Sequence, residues 1–550
     1  MGIDFIIVII YFIVIFAMAL SGRTKKGATK EEYFLSNRNL RWYSVAISSI
    51  ATNINGYQFL GMMGSAYLYG LAQAQLEINA VQGIFMAAFI FVPMYLKDRV
   101  ITITQFIKKR LGSRVALIYS GASLFLFSTI GIGAALFWGA YAAEVVFSEY
   151  FMFISESRVV RVVALVVFLG IFSAAYTYLG GLAAVVKTDL IQFSILTIGG
   201  IIITVVAVEN LGGWSALFSG EYQLKWGDES IPVDNLMHLH LPNDHPQLPW
   251  TFMFGLFLLN INYWCANQTV VQRSLAARSL KEAQIGLMVG GVMKYFMAII
   301  IIIPGIALSG ILIDNPLSEP DLAYPYLVKN FIQSDVLRGI ILCALFASLM
   351  STVDSTFNSL ATLFSIDIYK EYLNKNATDA QMIQAGQRTI LVTLFTGVMT
   401  GMVLLYFKFG NPESAFTHTL NDIRYFINCG LVVLICSAVF LIAPKRKLVA
   451  IAFGITVILQ LIFKFFLLPD MNYFTRALWV IVIGLLIVMI PTGLKLLNEN
   501  NLPKDLFDQG DATQVGFRKW GNIFVFATPS LMWIGIGMIG SLVALHVIFH

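Results

Sequence analysis

The chain has 550 residues, of which 58% are hydrophobic and 12% charged, with a formal net charge of +5 and a mean hydropathy of +0.77. This balance excludes a soluble globular domain, which could not cover its surface with polar groups. The small positive charge is a topology signal and not a nucleic-acid-binding one, and the four cysteines (Cys265, Cys343, Cys429 and Cys436) fall in apolar runs, which excludes a disulfide framework.

A membrane-spanning helix needs about 20 apolar residues and satisfies its own backbone. Fourteen runs meet that length, at 3–21, 43–69, 76–97, 113–147, 161–180, 183–208, 248–268, 283–313, 335–367, 386–408, 414–443, 447–468, 473–497 and 519–548. The expected fold is an all-α polytopic membrane protein of about fourteen transmembrane helices. The first run lacks a basic leader and is followed by "SGRTKK", so it reads as a span and not as a cleaved signal. The second carries "TNINGYQFLG" and the seventh "LNINYWCANQ". Asn and Gly are weak helix formers, so both stretches predict interrupted helices whose freed backbone groups line a cavity. Between the sixth and seventh runs lies an outer segment, 209–247, with His238, His240 and His245. Without a nearby cysteine or Glu-x-x-His partner these read as exposed loop histidines before they read as a metal site. The segment 498–518 reads as a polar inner loop.

With both termini outside, 26 of the 36 Lys and Arg fall on the inner side and 7 on the outer, as the positive-inside rule requires. Lys294, Arg424 and Lys464 lie at membrane depth, Lys464 near a helix end where it can snorkel. A charge inside the bilayer costs about 2.5–3.5 kcal/mol, which makes Glu77, Asp189, Lys294, Asp354, Asp422 and Arg424 functional candidates. Interfacial solvation is the bland reading of Asp189, and pairing with Asp422 that of Arg424. In the ninth run Ser348, Ser351, Thr352 and Ser355 recur at helical spacing on one face. Such hydroxyls often bond back to the preceding turn; with loose carbonyls at a break they also make an oxygen-only site for a hard cation.

The runs "SSIATNINGYQFLGMMGSAYLYGLA", "YTYLGGLAAVVKTDLIQ", "NYWCANQTVVQRSLAARSLKEAQIG", "MKYFMAIIIIIPGIAL" and "STVDSTFNSLATLFSIDIYKEYL" resemble the sodium/solute symporter family, and within it the sodium/sugar cotransporter branch. The resemblance implies a five-plus-five inverted repeat of the leucine-transporter type with a broken first helix in each repeat. It assigns 43–208 and 248–443 to the repeats, 3–21 to an extra N-terminal helix and 447–548 to extra C-terminal helices. It implies a main Na⁺ site from the carbonyls of Ala51 and Ile54 with Ser348, Ser351 and Thr352. A second Na⁺ site, found in some members, maps to Asp189, Ser351, Asp354 and Ser355, where Asp354 replaces a more usual small hydroxyl residue. A sugar pocket maps to Gln58, Glu77, Asn260, Tyr263 and Lys294, with Tyr263 as inner gate, Met62 in the outer gate and Asn53 steadying the first break. Leu76, Ala80 and Arg424 depart from the branch; Arg424 stands where a glutamine is usual, and facing the pocket it would favour a carboxylated sugar.

The expected activity is therefore import of a glucose- or galactose-like monosaccharide driven by one or two sodium ions, at the plasma membrane. The partners expected are the sugar and membrane lipid, with no nucleic acid and no obligate protein partner. A symporter for a uronate, sialate, inositol or another small solute is the nearest alternative, and a non-transporting sensor or channel a further one. No nucleophile–base constellation points to an enzyme.

Overall fold

The computed structural model describes residues 2–23, 27–219, 222–226, 229–233, 236–410, 416–441, 444–498 and 523–550. The expected inner loop 498–518 lies almost wholly outside them. Among the described residues, eleven helices are long and apolar enough to cross a membrane. The two longest far exceed one crossing. Tyr57–Lys97 has 41 residues and Arg158–Leu211 has 54, against about 20 for a hydrocarbon core. Each bends at a glycine of positive φ, Gly70 and Gly181. At Gly181 (φ 55, ψ −150) a Cβ would run into the Tyr33 carbonyl, so the chain passes this corner only without a side chain.

The apolar stripes sort the helices between core and lipid. In Ile3–Ser21 the buried residues Asp4, Val8, Tyr11, Ile15 and Ala19 recur every three or four positions, the spacing of one helix face. That face packs on Asp335–Leu363 and Arg158–Leu211, while Ile6, Ile9, Ile10 and Ile13 point outward, where a bilayer supplies the apolar solvent. Asp335–Leu363 is the central helix, with 23 of its 29 residues buried.

Both interrupted helices are present. The first runs Trp42–Asn53, opens at Ile54 (φ −84, ψ 113), and resumes as the wide turn Tyr57–Met62. In the second, Asn260 ends Phe252–Asn260 and Ile261–Ala266 continues as a wide turn. The chain opens only at Asn267 (φ −75, ψ 115), whose side chain then caps Gln268–Leu275 by accepting from the Thr269 amide. The interruption thus lies at the end of the "NINYWCANQ" stretch and not at its paired asparagines.

Three expectations are corrected. The last helix begins at Pro529, after a non-helical Ile523–Thr528, because Pro529 can start a helix but not continue one. The outer segment is not a plain exposed loop. It carries a two-stranded antiparallel hairpin, Tyr222–Trp226 with Glu229–Val233, and two of its histidines pack against helices. His245 is buried edge-on to Tyr69, and His240 stacks on His546 of the last helix. Among the described residues no group of three or more His, Cys, Asp or Glu is placed to hold a metal ion. Finally, several cations that read as loop charges are buried in ion pairs: Arg161 with Glu144, Lys408 with Asp321 and Arg476 with Asp422.

Candidate functional site

The two interrupted helices face each other across a cavity of about 160 Å³. The first break supplies Asn53 and Gln58, with Met62 one turn on. The second supplies Asn260 and Tyr263. Glu77 enters from the helix after the first break and Lys294 from Leu280–Ile311. All five predicted pocket residues therefore line one cavity, and so do Met62 and Arg424.

Asn53 ties these elements together. Its Nδ2 donates to the Tyr263 hydroxyl at 2.7 Å, its Oδ1 accepts from Lys294, and its carbonyl accepts from Gln58 Nε2 at 2.9 Å. Lys294 also pairs with Glu77, and its ammonium sits 5.7 Å from the Trp264 ring centre, a cation–π distance. Asn260 Nδ2 donates to the Asn79 carbonyl at 3.1 Å. The lining thus offers carboxylate, amide, ammonium and phenol groups beside the aromatic rings of Tyr263 and Trp264. That is the donor and acceptor mix a polyhydroxylated molecule needs.

Below Asn53 the break meets the hydroxyl-rich helix. The Asn55 amide turns to Gln58 Oε1 at 2.8 Å, leaving the Ala51 carbonyl without the helical amide four residues on. Thr352 Oγ1 donates to the Thr52 carbonyl at 2.9 Å and to the Ser348 carbonyl at 3.3 Å. Thr352 therefore touches the break that carries Ala51 and Ile54. Ser348 bonds back to the Leu345 carbonyl at 2.8 Å, and Ser351 donates to Asp189 at 2.5 Å.

Asp189 is fully buried, so interfacial solvation does not describe it. Its second oxygen accepts from Ser48 at 2.5 Å. Beside it lies Arg273, also fully buried, with Nη2 3.8 Å from Asp189 Oδ2. Arg273 bonds Ser48 at 3.1 Å, the Thr269 carbonyl at 2.6 Å, and Ser355. Ser355 in turn shares a 2.8 Å hydrogen bond with Thr52. Of the four residues assigned to a second cation site, Asp189 and Ser351 meet directly, Ser355 joins through Arg273, and Asp354 Oδ2 accepts instead from the Tyr176 hydroxyl at 2.6 Å. A guanidinium thus stands among the oxygens expected to hold a second sodium. In sequence Arg273 reads as an inner-loop charge, since the eight-residue Gln268–Leu275 that carries it has no apolar run to mark it as buried.

Asp422 does not pair with Arg424. It takes Lys464 at 2.7 Å and Arg476, so Lys464 makes an ion pair and does not simply snorkel. On Phe416–Phe440, Asn421, Arg424, Tyr425 and Asn428 share the face that lines the cavity. Asp422 is two residues from Arg424, which turns it toward the opposite side.

A family model described as sodium:solute symporter family matches residues 33–410. The chain belongs to this family. Among curated relatives, a sodium/glucose cotransporter of Vibrio parahaemolyticus is 31% identical over 423 residues, covering 73% of this chain and 75% of that protein. Sodium/glucose cotransporter 1 of Oryctolagus cuniculus is 31% identical, covering 70% of this chain and 61% of its own length. Sodium/myo-inositol cotransporter 2 of Bos taurus is 29% identical, covering 72% and 60%. The substrate-bound, outward-open structure of a Na⁺-coupled sialic acid symporter superposes with a TM-score of 0.72 at 19% identity, covering 90% of this chain and 98% of that one. That likeness shows a shared fold. The matched residues 33–410 include both breaks, the Glu77–Lys294 pair and the hydroxyl helix; Arg424 lies beyond them.

Proposed function

We propose that this symporter imports a monosaccharide with sodium by alternating access. The observation that carries the reading is the cavity in which both broken helices, the Glu77–Lys294 pair and Tyr263 converge beside the Thr352 contact. Sodium is a co-substrate here. The Ala51 and Ile54 carbonyls with Ser348, Ser351 and Thr352 hold it where the first break meets the hydroxyl helix, and this favours the form open to the outside. The sugar exchanges hydrogen bonds with Gln58, Glu77, Asn260 and Lys294 and covers its apolar face with Tyr263. Closure over Met62 and later movement of Tyr263 release both to the inside.

The same reading gives fourteen crossings, with the two long helices dividing at Gly70 and Gly181. The repeats are 43–208 and 248–443, the termini lie outside, and the membrane is the plasma membrane. One sodium crossing about 100 mV contributes about 2.3 kcal/mol, and a tenfold gradient about 1.4 kcal/mol more. Together these support roughly 500-fold accumulation of a neutral sugar. Because Arg273 already neutralises Asp189, the reading assigns one sodium to each cycle. The test is uptake of labelled sugars into liposomes holding the purified protein. Uptake that persists when K⁺ or choline replaces Na⁺ refutes the coupling.

A further inference from the structure

The cavity contains three charged side chains, Glu77, Lys294 and Arg424. Two cancel: Lys294 is bonded to Glu77 and to Asn53. The third has no hydrogen-bond or ion-pair partner among the described residues. The nearest acid in sequence, Asp422, is committed to Lys464 and Arg476 on the helices behind it. Arg424 is half-buried, and its guanidinium lies within electrostatic reach of the Tyr57 and Tyr263 hydroxyls across the cavity. The cavity therefore carries one uncompensated positive charge at membrane depth, where leaving a charge unpaired is costly.

An occupant with a carboxylate removes that cost. A guanidinium presents two parallel N–H groups that match the two oxygens of a carboxylate. The rest of the lining is built for hydroxyls. Building on the monosaccharide reading above, we infer that the substrate is a carboxylated monosaccharide of the hexuronate class, whose carboxylate is held by Arg424 while Glu77, Lys294 and Asn260 take its hydroxyls. A neutral sugar in the same place leaves Arg424 uncompensated and so binds more weakly. The charge count of transport changes too. One sodium carried with one monoanion moves no net charge, so the membrane potential neither drives nor opposes uptake.

The test compares galacturonate, galactose and galacturonamide as labelled substrates in sodium-driven proteoliposome assays. The amide keeps the shape of the acid and removes its charge. The expected result is sodium-dependent uptake that favours galacturonate over the amide and over galactose by about 100-fold, a rate insensitive to an imposed potential, and collapse of that preference to within about threefold in Arg424→Gln. Arg424→Lys, which keeps the charge and loses the fork, falls between and serves if the glutamine variant does not fold. Sodium-dependent uptake of galactose with no preference for galacturonate overturns the inference and leaves the symport reading standing. An Arg424→Gln protein that keeps the full preference overturns it as well. Absence of sodium-dependent uptake for all three refutes the monosaccharide reading on which it rests.

Discussion

Asn53 uses its side-chain amide, its side-chain carbonyl and its backbone carbonyl for three different partners, Tyr263, Lys294 and Gln58. One residue at the end of a helix thus sets the Tyr263 phenol, the cavity's ammonium and the cavity's amide together. Thr352 has a comparable role in the layer below, joining the central helix to the Thr52 carbonyl. Thr352→Ala removes an oxygen from the proposed sodium site, where one such hydrogen bond or ligand is worth about 1–1.5 kcal/mol. The sodium concentration for half-maximal uptake should rise about tenfold in a sodium titration, with expression unchanged. Glu77→Gln leaves the Lys294 ammonium buried without an opposite charge. Breaking a buried pair from one side costs about 3–5 kcal/mol, so the variant should melt well below the parent in detergent. Glu77→Gln combined with Lys294→Gln should recover most of that loss, and a double variant no more stable than the single would mean the pair is not coupled. That Gln58, Glu77, Asn260, Tyr263 and Lys294 line one cavity was legible through the family resemblance that their long motifs carry. Arg273 was not: its short amphipathic helix resembles a cytoplasmic loop in composition, and only the packing of Gln268–Leu275 under the first break turns the guanidinium inward.

The elements repeat one device, a helix that opens where something must pass or turn. Ile54 and Asn267 open the two halves that face the cavity, and Gly181 turns the longest helix over Tyr33. Gly181→Ala puts a Cβ into a backbone region essentially reserved for glycine and against the Tyr33 carbonyl. Such strain costs about 1–3 kcal/mol, so the expected outcome is a lower melting temperature and reduced folded yield by fluorescence-detected gel filtration. The outer segment is an element of its own kind. His245 accepts from the Gln247 and Leu248 amides, and burial pulls its imidazole down to about 4. An unfolded histidine titrates near 6.5, so between about pH 6.5 and 4 the opened loop binds more protons than the packed one. Stability of the packed loop is therefore full above about pH 6.5 and declines as pH falls through that window. Hydrogen exchange at 236–250 should rise as pH drops from 7 to 4.5 after correction for intrinsic rates, and His245→Gln should flatten the dependence. Composition alone reads this segment as exposed loop because polar residues that pack on helix ends look the same in sequence as those that do not.

At the scale of the molecule, buried charges pair across helices, with partners from 14 to 334 residues apart in sequence. Asp4 holds Arg338, Glu144 holds Arg158 and Arg161, Asp321 holds Lys408, and Asp422 holds Lys464 and Arg476. Hydropathy marked the apolar helices because lipid imposes length and hydropathy on every crossing. It could not give these pairs, whose members lie up to 334 residues apart and meet only once the helices are stacked. The same pairing habit bears on turnover. A carrier of this kind brings cargo in and must then travel back with nothing aboard. Two opposite charges kept apart in the empty cavity would each draw in water. Glu77 and Lys294 instead clasp each other, with Asn53 completing the set. In the proposed cycle the pair is a stand-in passenger: it keeps those two groups satisfied on the return leg, and the arriving substrate trades places with it.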